Sequence, residues 1–387
     1  MKTALVTTTI NVPHVLKLYR QHGPDVAFFV AADEKTPREA YEFCADIENC
    51  EIYSPDRQRE LNYSCSELIG WSTIGRRNIM VLEALKWGAD VIVTIDDDNI
   101  PILTARGIED YFTLFTHHWI SSQHWENVPD SNTALKLIIE SGYREFNGLR
   151  ASSVQGWYDP GDLLVPKTKH RGFPIQVKPE AIYEPVTDVR IGVAQGLCLG
   201  DPDIDAVTRI ATAPNIHSVS ELGRAGVVTD PKGPEIPTVM SLATRASGAA
   251  LNRAPTWSVF NTQNTAYLRE LAPAMFCAPG LGRFDDIFAS LICQRVMREK
   301  NLHVHYGQPF VWQQRNQHDL IKDLRVEIDG MANIMKLAEI LNTAPVEGPT
   351  ATAMVANIYN WLTLEDWWPA IATKAGLAWI DDIEKVL

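Results

Sequence analysis

The sequence predicts an α/β protein built on a doubly wound, mostly parallel sheet, with a helical C-terminal extension. Three observations carry this reading. Strand-like and helix-like segments alternate through roughly the first 100 residues. Residues 26–32 are a continuous apolar run, the pattern of a strand buried on both faces, and Val91-Ile92-Val93-Thr94-Ile95 reads as a second strong buried strand. From about residue 327 the pattern is helical only, broken by a Pro/Gly/Thr stretch at 345–352. The chain therefore divides into 1–325 and an extension, 326–387.

Each element has its own signal. Residues 4–9 read as a strand. Pro13 suits a first helical turn, with Asn11 as a cap and Val15, Leu16 and Leu18 following, until Gly23-Pro24 stops the helix. After the strand at 26–32, Thr36-Pro37-Arg38-Glu39 opens a second helix, and residues 51–53 form a short strand. Ile79, Leu82, Ala84 and Leu85 recur at helical spacing over 75–87, and Gly88 ends that helix. The strand at 91–95 then runs directly into three aspartates. Residues 145–255 are rich in Pro, Gly and polar residues with weak periodicity, a composition suited to binding loops. Structure returns with a strand at 258–260, a helix at 287–299 and a strand at 303–306.

Composition excludes several classes of function. A formal net charge of −13 argues against a broad basic face for nucleic acid or an anionic membrane. No apolar run approaches the roughly 18 residues that span a bilayer, and the first residues lack a signal-peptide core. The expectation is a cytoplasmic protein with no membrane insertion. The six cysteines are scattered with no CxxC pair, which points to buried reduced thiols rather than a zinc site or bridges.

The strongest chemical signal is Ile95-Asp96-Asp97-Asp98-Asn99. Ligands of open α/β sheets bind at the carboxyl ends of strands. Three carboxylates crowded there need a compensating positive charge. A hard cation, Mn²⁺ or Mg²⁺, binds oxygen ligands and bridges carboxylates to phosphates. The bland alternative is a solvated acidic turn. Upstream, Gly75-Arg76-Arg77-Asn78 places two arginines at a helix start, suited to an anionic ligand or else an ordinary surface pair. Asp33 follows the second strand, where it either accepts a bond from a base N–H or ribose hydroxyl, or caps the turn before Thr36-Pro37. No GxGxxG follows the first strand; Thr7-Thr8-Thr9 stands there, against a dinucleotide-binding dehydrogenase.

Two resemblances follow. Thr7-Thr8-Thr9-Ile10-Asn11-Val12-Pro13, Ala32-Asp33-Glu34-Lys35-Thr36-Pro37, Gly75-Arg76-Arg77-Asn78 and Thr94-Ile95-Asp96-Asp97-Asp98-Asn99-Ile100-Pro101 resemble the STELLO-type glycosyltransferase domain over about residues 1–105. Over about 90–330, the chain resembles the reversibly glycosylated polypeptide family, which includes UDP-arabinopyranose mutases. The segments are Thr94-Ile95-Asp96-Asp97-Asp98, His170-Arg171-Gly172-Phe173-Pro174, Ala194-Gln195-Gly196-Leu197 through Asp201-Pro202-Asp203-Ile204-Asp205-Ala206, and Gly282-Arg283-Phe284-Asp285-Asp286-Ile287.

The resemblance implies a GT-A fold that binds a UDP-sugar through a divalent cation. Asp96 and Asp98 would hold the metal. Thr7, Thr9, Asp33, Arg76, Arg77, Asp97, Asp203 and Asp205 would contact the nucleotide sugar. Arg171, the position glycosylated in the family, would be catalytic with Asp285 and Asp286. Against that, a protonated guanidinium is no nucleophile, and the bland role for Arg171 is pairing with phosphate or carboxylate. Asp285-Asp286 also suit a helix start, and Asp203 and Asp205 suit turn chemistry beside Pro202. The family pattern has a late histidine where this chain has Phe310-Val311-Trp312-Gln313; His305 and His318 are the substitutes at hand. The leading expectation is a pyranose/furanose mutase working through a sugar oxocarbenium or glycosyl-arginine. A transferase to an acceptor hydroxyl and a non-catalytic nucleotide-sugar-binding subunit are the alternatives. Trp361, Trp367, Trp368 and Trp379 offer a homo-oligomer surface or, equally, ordinary helix packing.

Overall fold

The computed structural model describes residues 1–102, 148–153, 155–186, 189–229, 255–313, 315 and 319–387. The fold is α/β, with a large mixed sheet and helices at the C-terminus. In chain order its strands are β1 (Thr3–Thr9), β2 (Ala27–Ala32), β3 (Cys50–Tyr53), β4 (Val91–Thr94), β5 (Asn99–Pro101), β6 (Gly148–Ser152), β7 (Trp157–Tyr158), β8 (Leu164–Val165), β9 (Ile182–Val186), β10 (Ile191–Gly200), β11 (Ser218–Val219), β12 (Val227–Thr229), β13 (Trp257–Ser258), β14 (Thr265–Leu268) and β15 (His303–Gln313). The main sheet runs β3-β2-β1-β4-β14-β10-β15-β12-β6-β9, with β5 paired to β15. The first four strands in that order are parallel throughout, and β14 enters antiparallel to both β4 and β10.

Helices α1 (Val15–His22), α2 (Arg38–Ala45), α3 (Pro55–Glu60), α4 (Ser66–Ile69) and α5 (Arg77–Trp87) supply the crossovers. Alternation along the strands sorts side chains onto two faces. Leu5, Phe28, Val30, Val91 and Val93 pack with Leu16 and Tyr19 of α1 and Cys44 of α2. Ala4, Val6, Phe29, Ala31 and Ile92 pack with α5 and the C-terminal helices. Both faces are covered, which is why β2 is buried at every position. Helix α1 is capped by His14 without a side-chain bond, not by Asn11, whose N–H instead reaches the Thr9 hydroxyl at 3.1 Å. Gly88 closes α5 as expected: its φ of +93° lets Ala89 N–H reach back to the Ala84 carbonyl at 3.0 Å.

Several expectations move. Residues 191–200, read as part of a loop-rich stretch, form the long central strand β10, buried almost throughout. The strand expected at 258–260 is only the short β13, paired with β7 in a small side sheet; the main-sheet strand of this region is β14. The strand at 303–306 continues to Gln313. The last helical region begins at Leu320, where the Asp319 carboxylate caps the N–H groups of Ile321 and Lys322 at 3.1 Å. The 325/326 boundary thus falls inside the helix Leu320–Thr343.

The extension shares its core with the sheet domain. Helix Ala370–Val386 lies on α5, which is buried at every position from Arg77 to Leu85. Trp379, fully buried, stacks on Phe276 with centroids 5.2 Å apart, and its Nε1–H donates to the Pro273 carbonyl at 3.0 Å. The buried Asp382 carboxylate accepts from Cys65 N–H at 2.8 Å. Trp368 and Trp379 are core residues, whereas Trp361 is 40% exposed. Trp379→Ala is expected to lower stability by about 3–5 kcal/mol, the usual range for a buried tryptophan. Urea denaturation followed by far-UV circular dichroism measures it, with Trp379→Phe losing far less.

Candidate functional site

The strand order reverses between β2-β1 and β4, and a crevice opens there at the carboxyl ends of the strands. It is a cleft of about 290 Å³ lined by the ends of β1, β2 and β4 and by the segment before α5. Asp33, Arg76, Asp96, Asp97 and Asp98 all line it, with Thr9.

The acidic turn is held from below. The Ile95 carbonyl accepts from the Thr7 hydroxyl at 2.9 Å and from Arg77 Nη2 at 3.0 Å. Arg77 Nη2 also donates to Asp96 Oδ1 at 2.6 Å. Burial opposes the Arg77 charge, and the Asp96 carboxylate outweighs it, so this guanidinium is held above its ordinary value. Thr9 donates to Asp97 Oδ2 at 2.5 Å. Burial raises the Asp97 carboxyl above the usual range. Asp98 has the weakest partners, Asn99 Nδ2 at 3.3 Å and Gln313 Nε2 at 3.4 Å. Burial, then repulsion from Asp96, pushes its carboxyl up to about 6.

Thr7 and Arg77, expected on the ligand, instead buttress the strand end. Thr7 is fully buried, Arg77 nearly so, and neither lines the cleft. Asp33 takes the turn role considered for it, Oδ1 accepting from Lys35 N–H at 3.2 Å, and the residue also lines the cleft. Gln313 sits beside Asp98 where the resemblance has a histidine. His305 is fully buried and pairs with Ala194, six residues before the Gly200 that pairs with Gln313; at strand rise this is about 20 Å, too far to replace it. His318 lies outside the described residues.

The second group of motif residues forms a buried network behind this turn. Arg171, 6% exposed, donates from Nε to both Asp203 oxygens at 2.8 and 2.9 Å and from Nη2 to both Asp286 oxygens at 3.1 Å. Its Nη1 bonds the Arg283 carbonyl. Burial alone would lower its pKa; Asp203 and Asp286 more than reverse that and hold it well above the ordinary value. A guanidinium so charged and so fully bonded offers no lone pair. Asp203 also accepts from Arg315 Nη2 at 3.1 Å and Asn261 Nδ2 at 2.9 Å, so despite burial its carboxyl lies well below the usual range. Asp205 caps the helix Ala206–Thr212 through Thr208 N–H at 2.8 Å, the turn role rather than a ligand contact. Asp285 keeps a partly accessible side chain, with Oδ1 accepting from Asp286 N–H at 2.9 Å. Burial, then the Asp286 charge, pushes Asp285 up to about 7.

Thr262 joins the two groups. Its carbonyl accepts from Arg77 Nη1 at 2.8 Å, and its N–H donates to Asp286 Oδ2 at 3.2 Å. On the other side, Arg315 Nη2 reaches Gln313 Oε1 at 3.5 Å, linking Asp203 toward Asp98. Thr262 and Arg315 were missed in the sequence. The available signal for Thr262 was the run Asn261-Thr262-Gln263-Asn264, four polar residues that are all buried. Arg315 carries no local pattern.

Among the described residues, no three His, Cys, Asp or Glu side chains converge as a metal cage. Asp96 and Asp98 nonetheless suit a hard cation that draws its remaining ligands from phosphate and water, the usual arrangement for Mg²⁺. Among the described residues, no helix is long and apolar enough to cross a membrane. No protein-family model matches the chain, and no curated protein matches it.

Two outcomes follow from these charges. Arg171→Gln leaves Asp203 and Asp286 buried without a full counter-charge and is expected to cost about 3–5 kcal/mol in denaturant titrations. Asp285 has its folded pKa raised to about 7. The native state therefore keeps a proton that the unfolded chain releases near pH 4. That contribution is full below about pH 4 and is lost as pH rises through 7. Urea midpoints taken from pH 4 to 8 should fall less steeply in Asp285→Asn than in the wild type.

Proposed function

We propose that this chain is a nucleotide-sugar enzyme with a GT-A-like fold that acts on a UDP-sugar. The observation that carries the reading is the cleft at the strand-order reversal, with Asp33 on one side and Asp96, Asp97 and Asp98 on the other. Its volume is near the lower end for small-molecule sites, the scale of a nucleoside diphosphate. Asp33 keeps a cleft-lining carboxylate for a ribose hydroxyl or a base N–H. A Mn²⁺ or Mg²⁺ ion bound by Asp96 and Asp98 would supply Lewis-acid stabilisation of a departing diphosphate. Arg77 and Thr9 fix Asp96 and Asp97, so two of the three carboxylates are oriented before any ligand arrives.

The mutase reading leads: the anomeric C–O bond opens with oxocarbenium character, the ring recloses in the other size, and UDP recombines. The route proceeds without covalent capture by Arg171. Transfer to an acceptor hydroxyl is the second reading, favoured by Asp285. A carboxylate with a pKa near 7 is matched to general-base work at neutral pH.

The test is incubation with a panel of UDP-sugars and Mn²⁺, with products read by NMR. A new ring form with UDP conserved marks the mutase; UDP release only with added acceptor marks the transferase. Asp98→Asn should lower either turnover by about 10²-fold or more, the scale of one electrostatic group at a reacting centre. Binding of UDP-sugars without turnover under any metal would leave only a binding subunit, and no binding at all would end the reading.

A further inference from the structure

The cleft that holds these aspartates is also lined by cationic residues, Arg76 and Lys35. Arg76 is 1% exposed, yet its acceptors are all neutral: Gln58 Oε1 at 2.9 Å, the Ser66 carbonyl at 2.9 Å and the Ser66 hydroxyl at 3.1 Å. Its guanidinium stacks 3.9 Å from the Trp71 ring centre, and the Arg59 guanidinium stacks 4.2 Å from the same centre. The neighbouring cations are neutralised. Arg59 pairs with Glu34 at 3.1 Å and Asp56 at 3.0 Å, and Arg77 pairs with Asp96 at 2.6 Å. Among the described residues, no carboxylate lies within 4.0 Å of the Arg76 guanidinium.

Burying an unpaired ion is costly, and an arginine cannot escape the cost by losing its proton near neutral pH. Burial moves Arg76 down to about 10, which still leaves it charged at pH 7. Stacking on Trp71 and three neutral acceptors orient this cation without cancelling it. Glu67 and Asp33 act on it only through space, so an anion filling the cleft is drawn to it. Lys35, exposed at the rim, can reach such a group directly, while Arg76 acts through its field from the wall.

Resting on the nucleotide-sugar reading, we infer that the diphosphate is held in the ground state by the Arg76–Lys35 wall, so that a nucleoside diphosphate binds this chain without a divalent cation. Metal at Asp96 and Asp98 then serves bond breaking rather than affinity. Metal removal would abolish turnover and spare binding.

Isothermal titration of UDP into the full chain, once in EDTA and once in Mn²⁺, tests this. Binding in EDTA within about threefold of that in Mn²⁺ is expected, with Arg76→Gln and Lys35→Ala each weakening it by about tenfold, the scale of one charge-assisted contact. Uridine, which lacks phosphate, should bind both variants as it binds the wild type. UDP binding only in Mn²⁺ would overturn the inference and leave the nucleotide-sugar reading standing. Metal-free binding unchanged in Lys35→Ala would also overturn it, and needs no folded Arg76 variant. No UDP binding in either buffer would overturn the nucleotide-sugar reading itself.

Discussion

A single buried guanidinium, Arg77, fixes the geometry on which the cleft depends. It bonds the Ile95 carbonyl, the Asp96 carboxylate and the Thr262 carbonyl. Those three partners belong to the end of β4, the acidic turn and the loop before β14. Three adjacent carboxylates repel one another, and a turn carrying them at the end of a buried strand would open if nothing opposed it. One cation fully withdrawn from water opposes it strongly, because its field is little screened there. Arg77 can occupy that position because α5 is buried along its length. That burial comes in part from the helix Ala370–Val386. The far end of the chain thus supports the acidic turn through α5, although no residue of that helix touches the cleft.

Charge in this region is arranged in layers. At the back, Arg171 lies between Asp203 and Asp286, and Arg283 pairs with Glu327 at 2.8 Å, while the other Glu327 oxygen accepts from Ala206 N–H. This layer is saturated. In front, Arg77 neutralises Asp96 alone, leaving Asp97 and Asp98 with neutral hydrogen-bond partners and carboxyls raised above their usual range. Arg76 stands apart, with no carboxylate in contact among the described residues. A saturated layer gives rigidity and an unsaturated one gives affinity, since only uncompensated charges gain by meeting a ligand. The unsaturated groups Asp97, Asp98 and Arg76, of both signs, all line the cleft.

The N-terminal half of the sheet was legible because its strands obey the rule that makes them strands. Residues 27–32 and 91–93 are apolar without interruption because both faces are covered, and Gly88 marks the end of α5 because only a left-handed residue closes it there. The same rule hid β10. Its sequence, Ile191-Gly192-Val193-Ala194-Gln195-Gly196-Leu197, is diluted by glycines that packing requires. A Cβ at Gly196 would lie 2.3 Å from the Pro309 carbonyl and the Asn264 side chain. Gln195 is buried because its Oε1 accepts from Asn261 N–H at 3.0 Å, holding the polar loop against the strand. Such positions look like loop from composition and are core by contact. The acidic turn and Asp33 could be placed in advance because a strand end fixes where its next residue goes. Thr262 and Arg315 could not, because they join the site only through long-range packing.

Arg171 shows why a motif and a role are separate inferences. The segments carrying Arg171, Asp203 and Asp286 lie far apart in sequence, and the fold does bring their side chains together. Convergence of that kind is what a shared catalytic centre predicts, but a shared structural strut predicts it equally. The bonding fits the strut. Every acceptor around Arg171 is already supplied by the protein, and the surrounding acids hold its proton more firmly than water would. Through Thr262's neighbours on the same loop, Asn261 and Gln263, that strut sets the distance between β10 and the loop that carries the Arg77 acceptor. A residue in this position acts on chemistry by holding the back wall still. Its sequence pattern would be kept as strictly as that of a nucleophile, for reasons of packing alone.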